Sequence, residues 1–398
     1  MKIILKVCAL STVLSLLLLC SCATKNSVPL QLPADAGINP EAGRGGWLLV
    51  KLKSDSGEEL SFVVDTGSPQ TIFDKSLEPV LGKRLGTKKI RYGFYQATSG
   101  GMYAAPRLHL GNTQLLTGNR ILTDDLHQKI STSIAGILGM DCLRHYCIQI
   151  DFDSRRVRFL NPDCPANDEW GKAFPLTILF GCVFTHMDFF GWGNVYARLD
   201  TGFIGGVDAS VSPSQFRKEV KRQMPVMMVK SQGQTKETEC VGCFERCVFG
   251  GETYTNLAIG EWNSVPLSAR TLVGLQFLAR HRVTFNFPKR MMYLKQESVG
   301  PLSSGFFLSI EAKNFWVGLG KANQLPGLSN QPTGSLQATK VDCSGTFPFT
   351  QGFDFHKTGD SSIYCYEVVQ PFQNGPWKLQ KAWRTDRDGK TIEEYPAL

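Results

Sequence analysis

Short β-like segments of alternating or wholly apolar residues recur along most of the chain, and two of them run into the same tripeptide. Segment 60–64 reads Leu-Ser-Phe-Val-Val and precedes Asp65-Thr66-Gly67-Ser68. Segment 195–199 reads Val-Tyr-Ala-Arg-Leu and precedes Asp200-Thr201-Gly202. Apolar runs of this length that end near a glycine predict strands that stop at a tight loop.

The order of the elements after each tripeptide is also repeated. A second β-like piece ends in aspartate at 71–74 and again at 206–208. An apolar-apolar-glycine element comes later, ending at Gly139 in the first copy and at Gly274 in the second, and each glycine lies 74 residues after its aspartate. A lone Asp-Thr-Gly is a weak signal, whereas two copies with equal downstream spacing indicate an internal duplication.

This arrangement resembles the pepsin-like and retropepsin-like aspartic peptidases, in which each lobe or subunit supplies one Asp-Thr-Gly loop and one apolar-apolar-glycine element that braces it. The resemblance extends over 46–295. It implies a mainly β, two-lobed pepsin-like acid protease fold, with duplicated β-barrel-like lobes at 46–165 and 166–297. It also implies that Asp65 and Asp200 are the catalytic residues.

The chemistry of peptide hydrolysis explains why two carboxyl groups are needed. Water can attack a peptide carbonyl if one carboxylate takes its proton while a carboxylic acid donates a proton to the carbonyl oxygen. Two carboxyl groups about 3 Å apart cannot both be ionised, so they share one proton and supply base and acid together. The predicted function is that of an aspartic endopeptidase acting on a polypeptide substrate, with no cofactor and no metal.

By the same resemblance, five residues support the pair. Thr66 and Thr201 are expected to form hydrogen bonds across the two loops. Gly67 and Gly202 are expected to let the backbone turn sharply and approach the carboxylates. Ser68 is expected to form a hydrogen bond beside Asp65 through its hydroxyl group and so orient the outer carboxyl oxygen.

Two features qualify this interpretation. The second loop has Phe203 where the family usually has serine or threonine, so activity could be weakened or lost. The alternative function is therefore a catalytically inactive envelope lipoprotein that binds a peptide or another envelope component. Segment 91–103, rich in glycine and aromatic residues, suits a hairpin lid over a cleft, with Tyr92 and Tyr95 as candidate flap residues. A plain surface hairpin would have a similar sequence.

Composition bounds the other possibilities. The chain has 398 residues, 42% of them hydrophobic and 20% charged, which is typical of a globular protein with two or three units. The net charge of +8 comes partly from basic clusters that are not interleaved with aromatic residues. We therefore expect a solvated basic surface and no nucleic-acid partner. A monomer is expected, because both lobes are in one chain.

The N-terminal region has the pattern of an export signal. A positive start is followed by an apolar run too short to span a bilayer stably, and then by Leu19-Cys20-Ser21-Cys22. This end resembles the lipobox of bacterial lipoproteins, which implies a signal peptide at 1–21, a lipid on Cys22 and a flexible tether at 22–45. The expected location is the bacterial cell envelope, lipid-anchored and facing the periplasm or the exterior. An ordinary signal peptide cut nearby remains the alternative.

Nine of the twelve cysteines lie after Cys22, and an exported chain favours disulfide bonds. Cys343 and Cys365 form a plausible local pair. Cys240, Cys243 and Cys247 could bind zinc by their spacing, but no histidine lies near them, so at least one disulfide bond within this cluster is expected instead.

The region 298–398 follows the last element of the resemblance. A short amphipathic helix is predicted at 305–320, and β-like alternation follows at 363–369 and 377–384. We expect a small α+β domain of unassigned role.

Overall fold

The computed structural model describes residues 32–90, 97–188, 194–204, 207–220, 226–230, 238–261, 271–303, 305–328, 334–340 and 347–396. The predicted leader and Cys22 lie outside these residues. The prediction of a flexible tether at 22–45 is wrong for its last part, because Ala34–Gly37 forms a strand and Ile38 and Ala42 are buried in the core. No helix in the described ranges is long and apolar enough to cross a membrane. The described chain is mainly β, as predicted.

The first half of the described chain forms a nine-stranded sheet and contributes strands to a second sheet, which it shares with the second half. Its strands are β1 (Ala34–Gly37), β2 (Leu49–Ser54), β3 (Glu59–Val64), β4 (Ile72–Asp74), β5 (Gly86–Ile90), β6 (Thr98–Ala104), β7 (Leu108–Leu110), β8 (Thr113–Gln114), β9 (Arg120–Asp124), β10 (Gly136–Leu138), β11 (Cys147–Asp151) and β12 (Arg156–Leu160). Its helices are a 3₁₀ turn (Lys75–Val80), α1 (Leu126–Lys129) and α2 (Met140–Leu143). The sheet order is β5-β6-β9-β4-β10-β3-β2-β7-β8.

The second half repeats the central part of this arrangement. Its strands are β13 (Lys172–Leu179), β14 (Cys182–Asp188), β15 (Asn194–Leu199), β16 (Ala209–Val211), β17 (Val226–Lys230), β18 (Thr238–Phe249), β19 (Glu252–Glu261), β20 (Thr271–Val273), β21 (His281–Asn286) and β22 (Met291–Gln296). Its helices are a 3₁₀ turn (Asp168–Trp170), α3 (Pro213–Gln215), which continues as a π turn (Phe216–Val220), and α4 (Leu275–Leu278). Strand β20 pairs parallel with β15 and antiparallel with β16, as β10 does with β3 and β4.

An antiparallel sheet contains strands of both lobes and joins them. Its order is β1-β12-β11-β21-β22-β13, and the central pair β11 and β21 brings one strand from each lobe together, with Ile150 opposite Val283. Ile150 and Val283 are both buried and belong to one core cluster that continues into both lobes. The two-lobed arrangement predicted from the duplicated sequence is therefore confirmed.

After β22, a helix and an antiparallel sheet form a further unit. The elements are α5 (Gly305–Lys321), β23 (Gly334–Lys340), β24 (Phe349–Lys357), β25 (Ile363–Gln370), β26 (Lys378–Thr385) and β27 (Thr391–Tyr395). Trp316 on α5 packs against Phe355 and Tyr366 on the sheet. The predicted α+β character of this region is confirmed. Its core is continuous with buried residues of the second lobe, among them Val241 and Ala258.

The predicted disulfide bond within the cysteine cluster is wrong. Cys243 and Cys247 both have free thiols, and all three cysteines lie on one strand, β18. A strand advances about 3.3 Å per residue, so cysteines three or more positions apart are separated by about 10 Å or more. A disulfide bond needs Cα atoms within about 7 Å of each other. The bond between Cys343 and Cys365 stays a prediction, because Cys343 lies outside the described residues.

Candidate active site

Each Asp-Thr-Gly loop is held by the apolar-apolar-glycine element of its own lobe. Strand β10 lies beside β3, and the backbone N–H of Asp65 donates to the carbonyl of Leu138, 3.1 Å away. In the second lobe β20 lies beside β15, and the N–H of Asp200 donates to the carbonyl of Val273 at 3.0 Å. The equal spacing in the sequence thus corresponds to equal positions in the two lobes.

The two loops are tied to each other through their threonines. The backbone N–H of Thr66 donates to the hydroxyl of Thr201, and the N–H of Thr201 donates to the hydroxyl of Thr66, both at 3.0 Å. Each hydroxyl then donates to a carbonyl of the opposite lobe, Thr66 to Leu199 at 3.0 Å and Thr201 to Val64 at 2.7 Å. Both side chains are buried, so these four bonds fix the separation of the two aspartates.

The glycines are required by the opposite carboxyl groups. A Cβ atom built on Gly67 would lie 2.2 Å from Oδ2 of Asp200, and one built on Gly202 would lie 2.4 Å from Cγ of Asp65. Neither contact is tolerable, since the atoms involved are held by the loops themselves. The loops can bring the carboxyl groups together only because these two positions have no side chain.

The carboxyl groups receive different numbers of backbone hydrogen bonds. Oδ1 of Asp65 accepts from the N–H of Gly67 at 2.7 Å and from the N–H of Ser68 at 3.1 Å, whereas Oδ1 of Asp200 accepts from the N–H of Gly202 at 3.0 Å. The predicted role of the Ser68 hydroxyl is wrong. It donates to the carbonyl of Gln70 at 2.7 Å, so Ser68 supports Asp65 through its backbone instead.

Burial and the neighbouring charge together change the protonation of the pair. The pKa of Asp65 rises from 3.8 to about 8, mainly because the group is buried and secondly because the charge of Asp200 lies close to it. The Gly67 N–H and the Arg198 guanidinium act in the opposite direction, with smaller effects. Near neutral pH the carboxyl group of Asp65 therefore keeps its proton, and a protonated carboxyl group is what the acid of acid–base catalysis requires.

Sequence reasoning missed Arg198, which lies beside the pair. Its Nη2 atom is 3.3 Å from Oδ2 of Asp200 and donates to the carbonyl of Gly67 in the other loop at 2.7 Å. The signal was visible in the sequence. Arg198 lies two residues before Asp200, and the first repeat has Val63 two residues before Asp65. A charged residue therefore stands where the other repeat has an apolar one.

Phe203 has a packing role that accounts for the departure from serine or threonine. Its side chain packs against the apolar cluster that the second lobe shares with α5 and the sheet β23 to β27. Its carbonyl accepts the N–H of Leu275 at 2.9 Å, as the carbonyl of Ser68 accepts the N–H of Met140 at 2.8 Å in the first lobe. The backbone geometry of the second loop is thus kept, while its side chain connects the loop to the C-terminal unit.

The candidate flap residues Tyr92 and Tyr95 lie outside the described residues. The strands on either side, β5 and β6, pair antiparallel with Ile90 opposite Thr98. Within the described ranges, no cluster of three or more histidine, cysteine or acidic side chains could hold a metal ion.

The raised pKa of Asp65 predicts a pH dependence of stability. Between pH values of about 4 and 8 the folded chain holds a proton that the unfolded chain has released, so stability should fall as pH rises through this range, by at most about 1.4 kcal/mol per pH unit. Asp65→Asn removes this contribution. Urea unfolding at several pH values should show a shallower decline for the variant, and equal slopes for the two proteins would contradict the assignment.

No protein-family model matches the sequence, and no curated protein matches it. Among solved structures, the chain is similar to an aspartic proteinase from Irpex lacteus, with 12% identity, a TM-score of 0.43, and 67% of this chain and 98% of the other covered. It is similar to basic 7S globulin from soybean, with 13% identity, a TM-score of 0.42, and coverage of 68% and 96%. Conglutin gamma, a basic 7S globulin from lupine seeds, gives 13% identity, a TM-score of 0.41, and coverage of 67% and 95%. All three likenesses are remote, and the chemistry of the site is inferred from its own residues.

Proposed function

We propose that the chain is an aspartic endopeptidase that hydrolyses peptide bonds with a water molecule activated by Asp65 and Asp200. The observation that carries the proposal is the facing pair of Asp-Thr-Gly loops, in which Gly67 lies against the carboxyl group of Asp200 and Gly202 lies against that of Asp65. The pKa of Asp65 is raised to about 8 in this setting. Four threonine hydrogen bonds hold the loops that bear them. A binding cleft without catalysis gains nothing from two crowded carboxyl groups, since their repulsion costs stability.

The proposed reaction needs no group besides these two and water. The ionised carboxylate takes a proton from water as its oxygen attacks the carbonyl carbon, and the protonated carboxyl donates its proton to the carbonyl oxygen, which gives a tetrahedral diol. Return of one diol proton to a carboxylate and delivery of the other carboxyl's proton to the nitrogen break the C–N bond. The products are a carboxylic acid and an amine, and the pair again holds one proton.

The test is hydrolysis of a mixed peptide library by the detergent-solubilised full chain, from about pH 3 to about pH 9. We expect cleavage with a bell-shaped pH dependence, because one carboxyl must be ionised and the other protonated. A statine-type inhibitor, which resembles the tetrahedral intermediate, should block it. The double variant Asp65→Asn, Asp200→Asn is the matched control for contaminating peptidases. Absence of any cleavage above this control would reject the proposal.

The second candidate is a binding protein that keeps the fold without catalysis, and Phe203 is the observation that favours it. The second loop lacks the hydroxyl group that the family usually has there, and the Asp200 carboxyl accepts one backbone N–H where that of Asp65 accepts two. This candidate predicts that the wild type binds peptides from the same library but releases them uncut. Mass analysis of the bound and released peptides separates the two functions.

We also propose that the protein is anchored in the bacterial cell envelope by a lipid on Cys22, after removal of 1–21. The support is the order of a basic start, an apolar run and Leu19-Cys20-Ser21-Cys22. Cys22→Ser is expected to abolish lipidation and release the protein from the membrane fraction. Cys20→Ser is the matched control, since it removes a neighbouring thiol that the lipobox order does not use. Retention of the Cys22→Ser variant in salt-washed membranes would contradict the anchor.

A further inference from the structure

The two lobes differ in charge at one position beside the aspartates. Val63 and Arg198 occupy equivalent places, two residues before the aspartate on β3 and on β15. Val63 is buried in a small apolar cluster with Ile72 and Ile137. Arg198 puts a cation at the matching place in the second lobe, so the duplicated frame surrounds the carboxyl pair with an asymmetric field.

The contacts of Arg198 are specific to the two loops. Its side chain is 18% exposed, and its Nη2 atom lies 3.3 Å from Oδ2 of Asp200, whose side chain is 14% exposed. The same Nη2 atom donates to the carbonyl of Gly67 at 2.7 Å. The Nε atom is buried and has no hydrogen-bond partner in the described part of the chain. Since the guanidinium is held between the loops, its charge acts on the pair with little solvent screening.

The charged and titratable groups that face Arg198 within the described ranges are few. They are Asp200 on its own loop, Asp65 on the opposite loop, and the thiol of Cys182 on β14. Cys182 lies 3.7 Å from the carbonyl of Gly67, and burial raises the pKa of its thiol, so it carries no charge near neutral pH. The field at the pair is therefore set by one guanidinium and two carboxyl groups.

We infer that Arg198 is a positioning residue that decides where the shared proton lies: it holds Asp200 as the ionised base and leaves the proton on Asp65, which acts as the acid. The inference rests on the proposed function and adds the identity of each partner in the pair. A carboxylate in contact with a guanidinium keeps its charge to lower pH. Among the described residues, Arg198 forms an ion pair with Asp200 and no basic side chain forms one with Asp65. The charge that the pair gives up is therefore that of Asp65.

The backbone donors oppose this assignment, but with less effect. Two N–H groups donate to Asp65 and one to Asp200, which by itself favours an ionised Asp65. Both donors on Asp65 bond to Oδ1, so Oδ2 is left for the proton. Burial of Asp65 and the charge of Asp200 outweigh these hydrogen bonds in their effect on the Asp65 pKa.

Three substitutions separate the charge of Arg198 from its hydrogen bond. Arg198→Met removes both, Arg198→Gln keeps a donor without charge, and Arg198→Lys keeps the charge. The pH profile of kcat/KM reports the pKa values of the free enzyme. We expect the acid side of this profile to move to higher pH by about one to three pH units in Arg198→Met and Arg198→Gln, because the ionised base is no longer stabilised by a positive charge.

Arg198→Lys should keep most of the wild-type profile. Arg156→Met, which removes one exposed positive charge from a different strand, is the control and should leave the acid side of the pH profile unchanged.

A second measurement does not depend on hydrolysis. Carbonyl ¹³C NMR of aspartate-labelled protein follows each carboxyl group directly, with the Asp65 and Asp200 signals assigned from their Asn variants. We expect Asp200 to stay ionised to lower pH than Asp65 in the wild type and in Arg198→Lys, and to lose this preference in Arg198→Met and Arg198→Gln.

The two measurements distinguish the possible failures. If the wild type cleaves nothing but the NMR titration follows the expected pattern, the proposed function is rejected and the role of Arg198 in placing the proton is retained. If folded Arg198→Met and Arg198→Gln keep the wild-type titration of Asp200, the role of Arg198 is rejected, whatever the activity. A wild-type titration in Arg198→Gln but not in Arg198→Lys would also reject the role of the Arg198 charge, because the hydrogen bond to Gly67 would then account for the protonation of the pair.

Discussion

Asp65→Asn and Asp200→Asn are each expected to lower peptide hydrolysis by about a thousandfold or more, and the double variant should be no worse than either single one. General acid–base catalysis by a positioned group contributes about a hundredfold to ten-thousandfold. In the proposed mechanism the two groups share one proton, so removing either disables both roles. Residues that act as a unit show this strong lack of additivity.

The same variants should fold, because asparagine has nearly the shape of aspartate and removes a charge from a crowded pair. Hydrolysis and urea unfolding are measured together on the wild type, the three variants and Asp153→Asn, an exposed aspartate that serves as the control. Stability of the dyad variants at neutral pH should equal or exceed that of the wild type. An Asp200→Asn protein that retains most of the activity would contradict a two-carboxyl mechanism.

Much of this site could be predicted because its parts are local in sequence and duplicated. A tripeptide after a strand, followed at equal distance by an apolar-apolar-glycine element, fixes a loop and the strand that braces it. In each lobe this spacing brings the glycine element beside the loop, where the N–H of Asp65 donates to Leu138 and the N–H of Asp200 donates to Val273. Because the pattern is repeated, even contacts between the lobes, such as those of Thr66 and Thr201, follow from the family resemblance.

The features that could not be predicted depend on where side chains point. Ser68 has two bonding groups, and the sequence does not say that its hydroxyl turns to Gln70 while its N–H faces Asp65. Phe203 departs from the pattern because it packs into a cluster that includes residues more than a hundred positions later, such as Phe353. Such long-range packing leaves no periodic signal in the loop itself.

The disulfide bond predicted within the cysteine cluster was wrong for a related reason. Cysteines three and four residues apart can approach each other in a loop and form a disulfide bond. On an extended strand the same spacings hold the thiols too far apart. The secondary structure of 238–249 decides the outcome, and a run with glycine, charged residues and three cysteines gave no clear strand pattern. Arg198 is the opposite case, since comparison of the two repeats position by position would have found it.

Arg280→Met is expected to lower the free energy of unfolding by about 3 to 5 kcal/mol, because it leaves a buried carboxylate without its partner. Arg280 and Asp208 both have no exposed side-chain surface. The Nε and Nη2 atoms of Arg280 contact the two carboxyl oxygens of Asp208 at 2.9 and 3.0 Å. The remaining N–H groups donate to backbone carbonyls of Thr255, Asn256 and Val299.

The position of this ion pair makes the second lobe depend on it. Oδ2 of Asp208 accepts the N–H of Ala258 at 2.8 Å, and its backbone carbonyl accepts the N–H of Gly274, the glycine of the element that braces Asp200, at 3.0 Å. The corresponding aspartate of the first lobe, Asp74, is held differently, by the backbone N–H groups of Ser76 and His127. Loss of Arg280 should therefore affect the second lobe and the Asp200 loop before it affects the first.

Urea unfolding of Arg280→Met, Asp208→Leu, the double variant and Arg156→Met measures the effect. Both single variants leave one buried charge uncompensated, whereas the double variant leaves none and should recover part of the lost stability. Arg156→Met breaks an exposed ion pair with Asp35, whose side chains are 53% and 40% exposed, and should change stability by less than about 1 kcal/mol. If Arg280→Met costs no more than Arg156→Met, the buried pair does not hold the second lobe together. If the loss of stability in the double variant instead equals the sum of the losses in the two single variants, the loss comes from packing and from the three unpaired carbonyls. Relief of an uncompensated charge would have made the double variant more stable than that sum.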